Sequence, residues 1–178
     1  MEAVGVLQRA TALTQRVAAY GVSFPALLTR LVVGYGFYVT GTGKWAHLDK
    51  VVGFFQSLGI PHAELQAPMV ALLEKFGGPM LIIGLFTRFF AGALGISMVV
   101  AIITADRADF LTSLQYGDKV PTDVTSFAYL MLLLWLVFVG AGPLSVDGAL
   151  GWLLRRQTAK LDVVHPDDTA TQTNTRDT

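Results

Sequence analysis

The twenty residues from Met69 to Arg88, MVALLEKFGGPMLIIGLFTR, are long enough to cross a bilayer, yet they carry Glu74 and Lys75 about a third of the way along. A membrane-crossing helix needs about 20 predominantly apolar residues. An ionisable group at membrane depth costs roughly 2.5–3.5 kcal/mol on insertion scales, so it normally faces a bundle interior or a cavity. Gly77, Gly78 and Pro79 follow at once and are expected to weaken the helix where its backbone groups would become available. A carboxyl beside a breakable helix, inside an apolar segment, is the main functional clue in the chain.

Composition agrees with a bilayer setting. Of 178 residues, 53% are hydrophobic and 15% charged, against about 25% charged in soluble domains. The mean hydropathy is +0.54. Formal net charge is zero, which gives no electrostatic reason to expect nucleic acid as a partner. The chain has no cysteine, which excludes disulfides, cysteine-ligated iron–sulfur clusters and c-type haem attachment. The length suits one compact bundle without a separate soluble catalytic domain.

Residues 1–24 lack a continuous apolar core and a small-residue cleavage pattern, so a secretory signal is not expected. Val4, Leu7, Leu13, Val17 and Tyr20 recur at helical spacing and predict a short amphipathic helix on the membrane surface. Residues 25–150 form the membrane domain. Pro25 is expected to open the first span, about 26–43, in which Arg30, Gly34, Phe37 and Gly41 fall on one helix face. Glycines at that spacing admit a neighbouring helix. Arg30 either snorkels as an interfacial anchor or joins a buried polar network. Leu48, Val51, Val52, Phe55 and Leu58 predict a short interfacial helix stopped by Gly59 and Pro61, with Trp45 as a belt residue.

The second span, about 67–86, leads through a tight connection at Thr87 and Arg88 into a third, about 89–105. A polar loop is expected from Asp106 to Asp123, then a fourth span at about 124–142, ended by Pro143. Ser145 is placed to cap a second surface helix running to Lys160. Its interfacial part, 151–161, carries Trp152 with Arg155, Arg156 and Lys160 on the polar side. Residues 162–178 are polar and are expected to be disordered. The fold expected is all-α, a four-helix transmembrane bundle with short amphipathic interfacial helices. Basic residues near the span ends put both termini on the cytoplasmic face of the inner membrane.

Depth suggests which polar groups meet. Glu74 lies seven residues into the second span, roughly 10 Å at 1.5 Å per residue, and the long stem of Lys44 can approach it on the outer half. Arg30, Arg88 and Asp147 fall on the cytoplasmic side and can form a second cluster. Arg88 is about 21 Å along the helix from Glu74, so two separate polar groups are expected. Glu74 is a candidate proton-handling or head-group-binding residue, its alternative being a helix-locking hydrogen bond, while Lys75 is read as snorkelling. Tyr35, Phe37 and Tyr38 either line an apolar cavity or simply pack.

His47, Asp49, His62 and Glu64 share the first outer loop without an established metal-ligand spacing, so no metal site is assigned. No histidine lies within a span, so a bis-histidine haem is not expected. GTGKWA from Gly41 fits GxGxxA but follows a membrane span rather than a strand, and Gly43-Lys44 lacks a Walker loop, so neither points to a nucleotide.

An ordered set of pieces resembles the DoxX family of small four-helix membrane proteins: Arg30, Gly34, Phe37, Gly41 and Lys44; FFQSLGIP from Phe54; Glu74 with Gly77-Gly78; GLFTR from Gly84; and GPLSVDGAL from Gly142. The resemblance covers about Leu27 to Leu150. It implies an oxidoreductase-type membrane protein, and a related group is similar to the membrane subunit of thiosulfate:quinone oxidoreductase, which passes electrons to the quinone pool. On that implication Glu74 and Lys44 are the catalytic candidates, and Arg30, Tyr38 and Glu74 the quinone-binding ones. No flavin site is evident, so a partner protein would supply the electrons. The rival readings are a non-catalytic scaffold that anchors a partner complex and a small proton-coupled transporter. Homo-oligomerisation is left open.

Overall fold

The computed structural model describes residues 2–115 and 120–154, with side chains from Ser23 onward. Those residues are helical, with no strand among them: α1 (Glu2–Ala46), α2 (Leu48–Ser57), α3 (Ala63–Ile83), α4 (Thr87–Thr104), α5 (Arg107–Gln115), a 3-10 turn (Pro121–Asp123) and α6 (Thr125–Val139). A last helix, α7, covers 146–154. The amphipathic pattern of residues 4–20, Asp118, Lys119, the basic residues 155–160 and the tail lie outside the described side chains.

The first helix does not restart at Pro25. It runs unbroken for 45 residues with the proline inside it. A proline withholds one backbone donor and crowds the carbonyl four residues earlier, and here that carbonyl belongs to Gly21, which has no side chain to add to the crowding. Beyond the proline the buried positions of α1 are Ala26, Arg30, Val33, Gly34, Phe37 and Gly41, which includes every residue of the expected glycine face.

That face packs on α3, whose buried residues are Ala63, Ala67, Ala71, Glu74, Gly77, Gly78 and Leu81. The two helices are antiparallel, since Lys44 meets Glu74 while Arg30 lies against Gly84. Their backbones touch: a Cβ on Gly34 would come 2.6 Å from the Gly78 carbonyl oxygen. Gly77, Gly78 and Pro79, expected to weaken the helix, do not interrupt it, and α3 continues to Ile83. The glycines serve packing instead, Gly78 against α1 and Gly77 against Phe90 and Leu94 of α4.

The connection to α4 lies at Gly84–Phe86, ahead of Thr87. Gly84 and Phe86 both take left-handed backbone conformations, at φ 73° and 49°. The segment expected as a polar loop after α4 instead folds as α5 and the 3-10 turn. Phe110 of α5 stacks on Phe127 of α6 at 5.5 Å, and Ser126 donates to the Asp106 carboxylate. Short apolar pairs of this kind escape a reading that weighs only the aspartates. α6 ends at Val139, before Pro143, because Gly140 turns the chain at φ 78°.

α1, α3, α4 and α6 enclose a core of Val33, Phe37, Leu81, Ala91, Leu94, Met98, Leu133 and Leu136. Their outward faces are also apolar, with Val32, Phe76, Ile96, Ile103 and Phe138 exposed. Conversely, Arg30 and Glu74 are 1% exposed. α4 is long and apolar enough to cross a membrane.

Candidate functional site

Glu74 sits midway along α3 on its buried face, and its two carboxylate oxygens have different partners. Oε1 accepts from Lys44 Nζ in an ion pair. Oε2 accepts from the Thr40 hydroxyl at 3.0 Å. Thr40 and Lys44 are one helical turn apart, so one stretch of α1 supplies both donors. Gly41 lies between them with its Cα against the backbone of Glu74 and Lys75, and this close approach brings the donors within reach. Each charge here is paired and hydrogen-bonded, the condition under which buried charges persist.

The expected meeting of Lys44 and Glu74 is therefore present, and Thr40 completes it. Thr40 was legible in principle, standing four residues before Lys44 in YVTGTGK, but a threonine in a span more often bonds its own backbone. It does that too: its hydroxyl also lies 3.2 Å from the Phe37 carbonyl oxygen.

Glu74 and Lys44 form part of the wall of a cavity of about 490 Å³ between α2, α3 and α4. Val51 and Phe55 of α2 with Leu58 just past its end, Val70 and Leu73 of α3, and Met98 and Ala101 of α4 supply apolar lining. Ligand pockets are typically apolar chambers of about 300–1,000 Å³ with a few placed polar groups, and this one conforms. The expected amphipathic helix, now α2, supplies one wall with its apolar stripe.

Tyr38 and Arg30 are not brought to this cavity. Tyr38 follows the core residue Phe37 and is 43% exposed on the outside of α1. Phe37 packs edge-on against Tyr129 at 5.2 Å, and Tyr35 is exposed. Lys75 turns away from Glu74, placing its ammonium 5.5 Å from the centre of the Trp45 ring, a cation–π contact.

Arg30 belongs to a second polar cluster at the opposite end of the bundle. It is buried, not snorkelling: its guanidinium donates to the Ala141 and Leu144 carbonyl oxygens, both at 2.7 Å. Beside it, the Asp147 carboxylate accepts from the backbone N–H groups of Phe86 at 3.0 Å and Thr87 at 3.1 Å. Asp147 thus satisfies free donors at the start of α4, while its own N–H donates to the Gly84 carbonyl at 3.0 Å. Ser145 accepts from the Gly148 N–H at 3.0 Å and caps α7. Arg88 joins more loosely, 3.4 Å from the Phe138 carbonyl. GLFTR and GPLSVDGAL, far apart in the chain, are two halves of one knot.

Comparison with known proteins supports the resemblance. The DoxX family profile matches residues 26–107. The chain is 30% identical over 124 residues to a Bacillus subtilis protein named "Putative oxidoreductase CatD", covering 68% of this chain and 83% of that one. It is 33% identical over 136 residues to "Uncharacterized membrane protein Rv3486" of Mycobacterium tuberculosis, covering 73% and 82%. An uncharacterized protein of Haemophilus influenzae is 29% identical over 122 residues, 66% of this chain and 84% of that one. No solved structure matches. With its glycine-packed α1–α3 pair inside the matched region and these relatives covered over most of their length, the chain belongs to the DoxX family of membrane proteins.

Proposed function

We propose that this protein is a four-span inner-membrane bundle acting as a quinone-associated redox subunit, passing electrons from a partner protein to the quinone pool. The observation that carries the reading is the Lys44–Glu74 pair at the edge of an otherwise apolar cavity. The naming of one relative as an oxidoreductase is consistent with it.

The apolar outer faces of α1, α3, α4 and α6 are the surfaces a bilayer would solvate, and the paired charges lie inside. With both termini cytoplasmic, the Arg30–Asp147 knot is at the inner end and the cavity at the outer half. A quinone accepts two electrons and two protons to become a quinol. The partner supplies the electrons. Lys44, whose side chain is 32% exposed and carries more protons than Glu74 uses, donates a hydrogen bond to a quinone carbonyl. Glu74 relays protons to the reduced oxygen and recovers them from the outer aqueous side. Thr40 holds one oxygen of Glu74, so the other stays with Lys44 at the cavity. Arg30 positions the inner loop and does not touch the ligand.

The test is quinone content and quinone reductase activity of protein purified with its native partners, beside Glu74→Gln. Bound quinone and turnover that are both lost in a folded variant support the proposal. A protein that neither carries nor reduces quinone would instead be an anchor for a partner complex.

A further inference from the structure

The cavity has a mouth, and its α4 side is apolar. A residue that lines the cavity yet stays exposed marks its opening. On α2 these are Lys50, at its start, and Phe54, 51% exposed; on α4 they are Ile96 and Val100, 69% and 42% exposed, with Ala105 just past its end. The floor is the opposite: Glu74 is 1% exposed and Met98 9%. α2 packs along α3, and α3 along α4, but α2 and α4 are not joined by comparable packing. The chamber therefore opens sideways between α2 and α4.

The level of this opening matters. Ile96 is the tenth residue of the eighteen in α4, the helix with the length and hydropathy to cross a membrane. The opening thus lies near mid-helix, where the surrounding solvent is hydrocarbon. Of the polar lining residues, Gln66 lies by the α2–α3 connection and Thr104 at the end of α4, while Lys50 stands at the start of α2 and Ser97 follows Ile96.

Resting on the quinone reading above, we infer that the occupant is a membrane-dissolved amphiphile that enters sideways through the gap between α2 and α4. Its carbonyl head reaches the Lys44–Glu74 pair and its apolar tail stays in the gap against Phe54, Ile96 and Val100. Charge supports this orientation. Lys44 and Glu74 give a head group both a donor and an acceptor, while Phe54, Ile96 and Val100 offer a tail apolar contacts. A water-soluble substrate would need the polar end as its entrance and would leave the apolar gap without use.

The experiment uses the full chain in lipid nanodiscs and two photoreactive decyl-ubiquinone probes, one with a diazirine on the head and one at the tail end. Unlabelled decyl-ubiquinone serves as competitor, and labelled peptides are read by mass spectrometry. The expected result is competable head labelling around Thr40, Lys44 and Glu74 and competable tail labelling on Phe54, Ile96 and Val100. Ile96→Trp, a change at an exposed site that narrows the gap, should slow head labelling several-fold without lowering thermal stability. Head labelling at the pair with tail labelling at Ile60 and Gln66 would overturn the sideways route and leave the quinone reading standing. Labelling that decyl-ubiquinone does not compete, spread over the outer faces of α1 and α6, would overturn both.

Discussion

Gly41 lies flat against Glu74: a Cβ at position 41 would sit 2.7 Å from the Glu74 carbonyl carbon and closer still to the Lys75 amide nitrogen. The missing side chain lets Thr40 and Lys44 close on the carboxylate from the same helix. Geometry at the candidate site is thus set by how tightly α1 and α3 cross. Small residues at such crossings admit close backbone approach, which in a bilayer takes the place of hydrophobic drive.

Gly41→Ala should therefore separate the pair as well as destabilise the bundle. Overpacking a close-packed contact costs about 1–3 kcal/mol, and thermal unfolding in detergent should show it as a lowered Tm accompanied by loss of bound quinone. Gly43→Ala is the matched control. Nothing lies within 4 Å of a Cβ there, and alanine is favoured over glycine in a helix by up to about 1 kcal/mol. The control should be neutral or slightly stabilising. Equal effects of the two substitutions would refute the close-crossing account.

Helix spacing and depth made this half of the molecule readable in advance. Arg30, Gly34, Phe37 and Gly41 share a face by periodicity, and Lys44 and Glu74 share a depth by counting residues in antiparallel spans. What escaped has a common cause. Pro25 and the Gly77-Gly78-Pro79 run are local helix breakers, but α1 and α3 continue through them, and the α3 glycines pack against α1 and α4. The helix that follows α4 is held by Phe110 meeting Phe127 of α6, a contact between elements that periodicity within one segment cannot reveal. Tyr38 was a fair candidate by position, but its helix turns it outward, one residue past the buried Phe37.

Charge balance within the pair gives a second prediction. The Glu74 side chain is 1% exposed, whereas that of Lys44, 32% exposed, can turn outward. Removing the lysine therefore leaves the worse orphan. Lys44→Met should cost more stability than Glu74→Gln, with a loss of about 3–5 kcal/mol where the buried carboxylate is left without its cation. The double variant should recover part of the loss, because replacing both members of a buried pair is commonly near neutral. A double-mutant cycle on chemical denaturation measures the coupling, and strict additivity would show that the two side chains do not act together.

Thr40→Val tests the smaller partner. It removes one hydroxyl donor and keeps the shape, so about 0.5–1.5 kcal/mol of stability should go. The Lys44 contact to the other oxygen remains. Thr40→Ser retains the hydroxyl and should behave like the parent in both stability and quinone binding. If Thr40→Ser were as impaired as Thr40→Val, the methyl group rather than the hydrogen bond would be the relevant feature.

At the other end, Asp147 caps α4 although some sixty residues separate it from Phe86 and Thr87. A capping side chain is worth about 0.5–2 kcal/mol, and this one also ties the segment after α6 to the α3–α4 turn. Asp147→Ala should lower stability by the upper part of that range, while Asp147→Asn, which keeps one acceptor oxygen, should lose less. Gly84→Ala should be worse than either. It forces a Cβ onto a residue at φ 73°, 2.6 Å from the Ser145 Cβ and against the Arg30 guanidinium. Left-handed strain and overpacking then act at one atom. Because the knot is remote from the cavity, folded Asp147→Asn protein should bind quinone as the parent does. A loss of quinone binding in that variant at unchanged stability would mean that the two polar clusters are coupled through α3, contrary to their separation here.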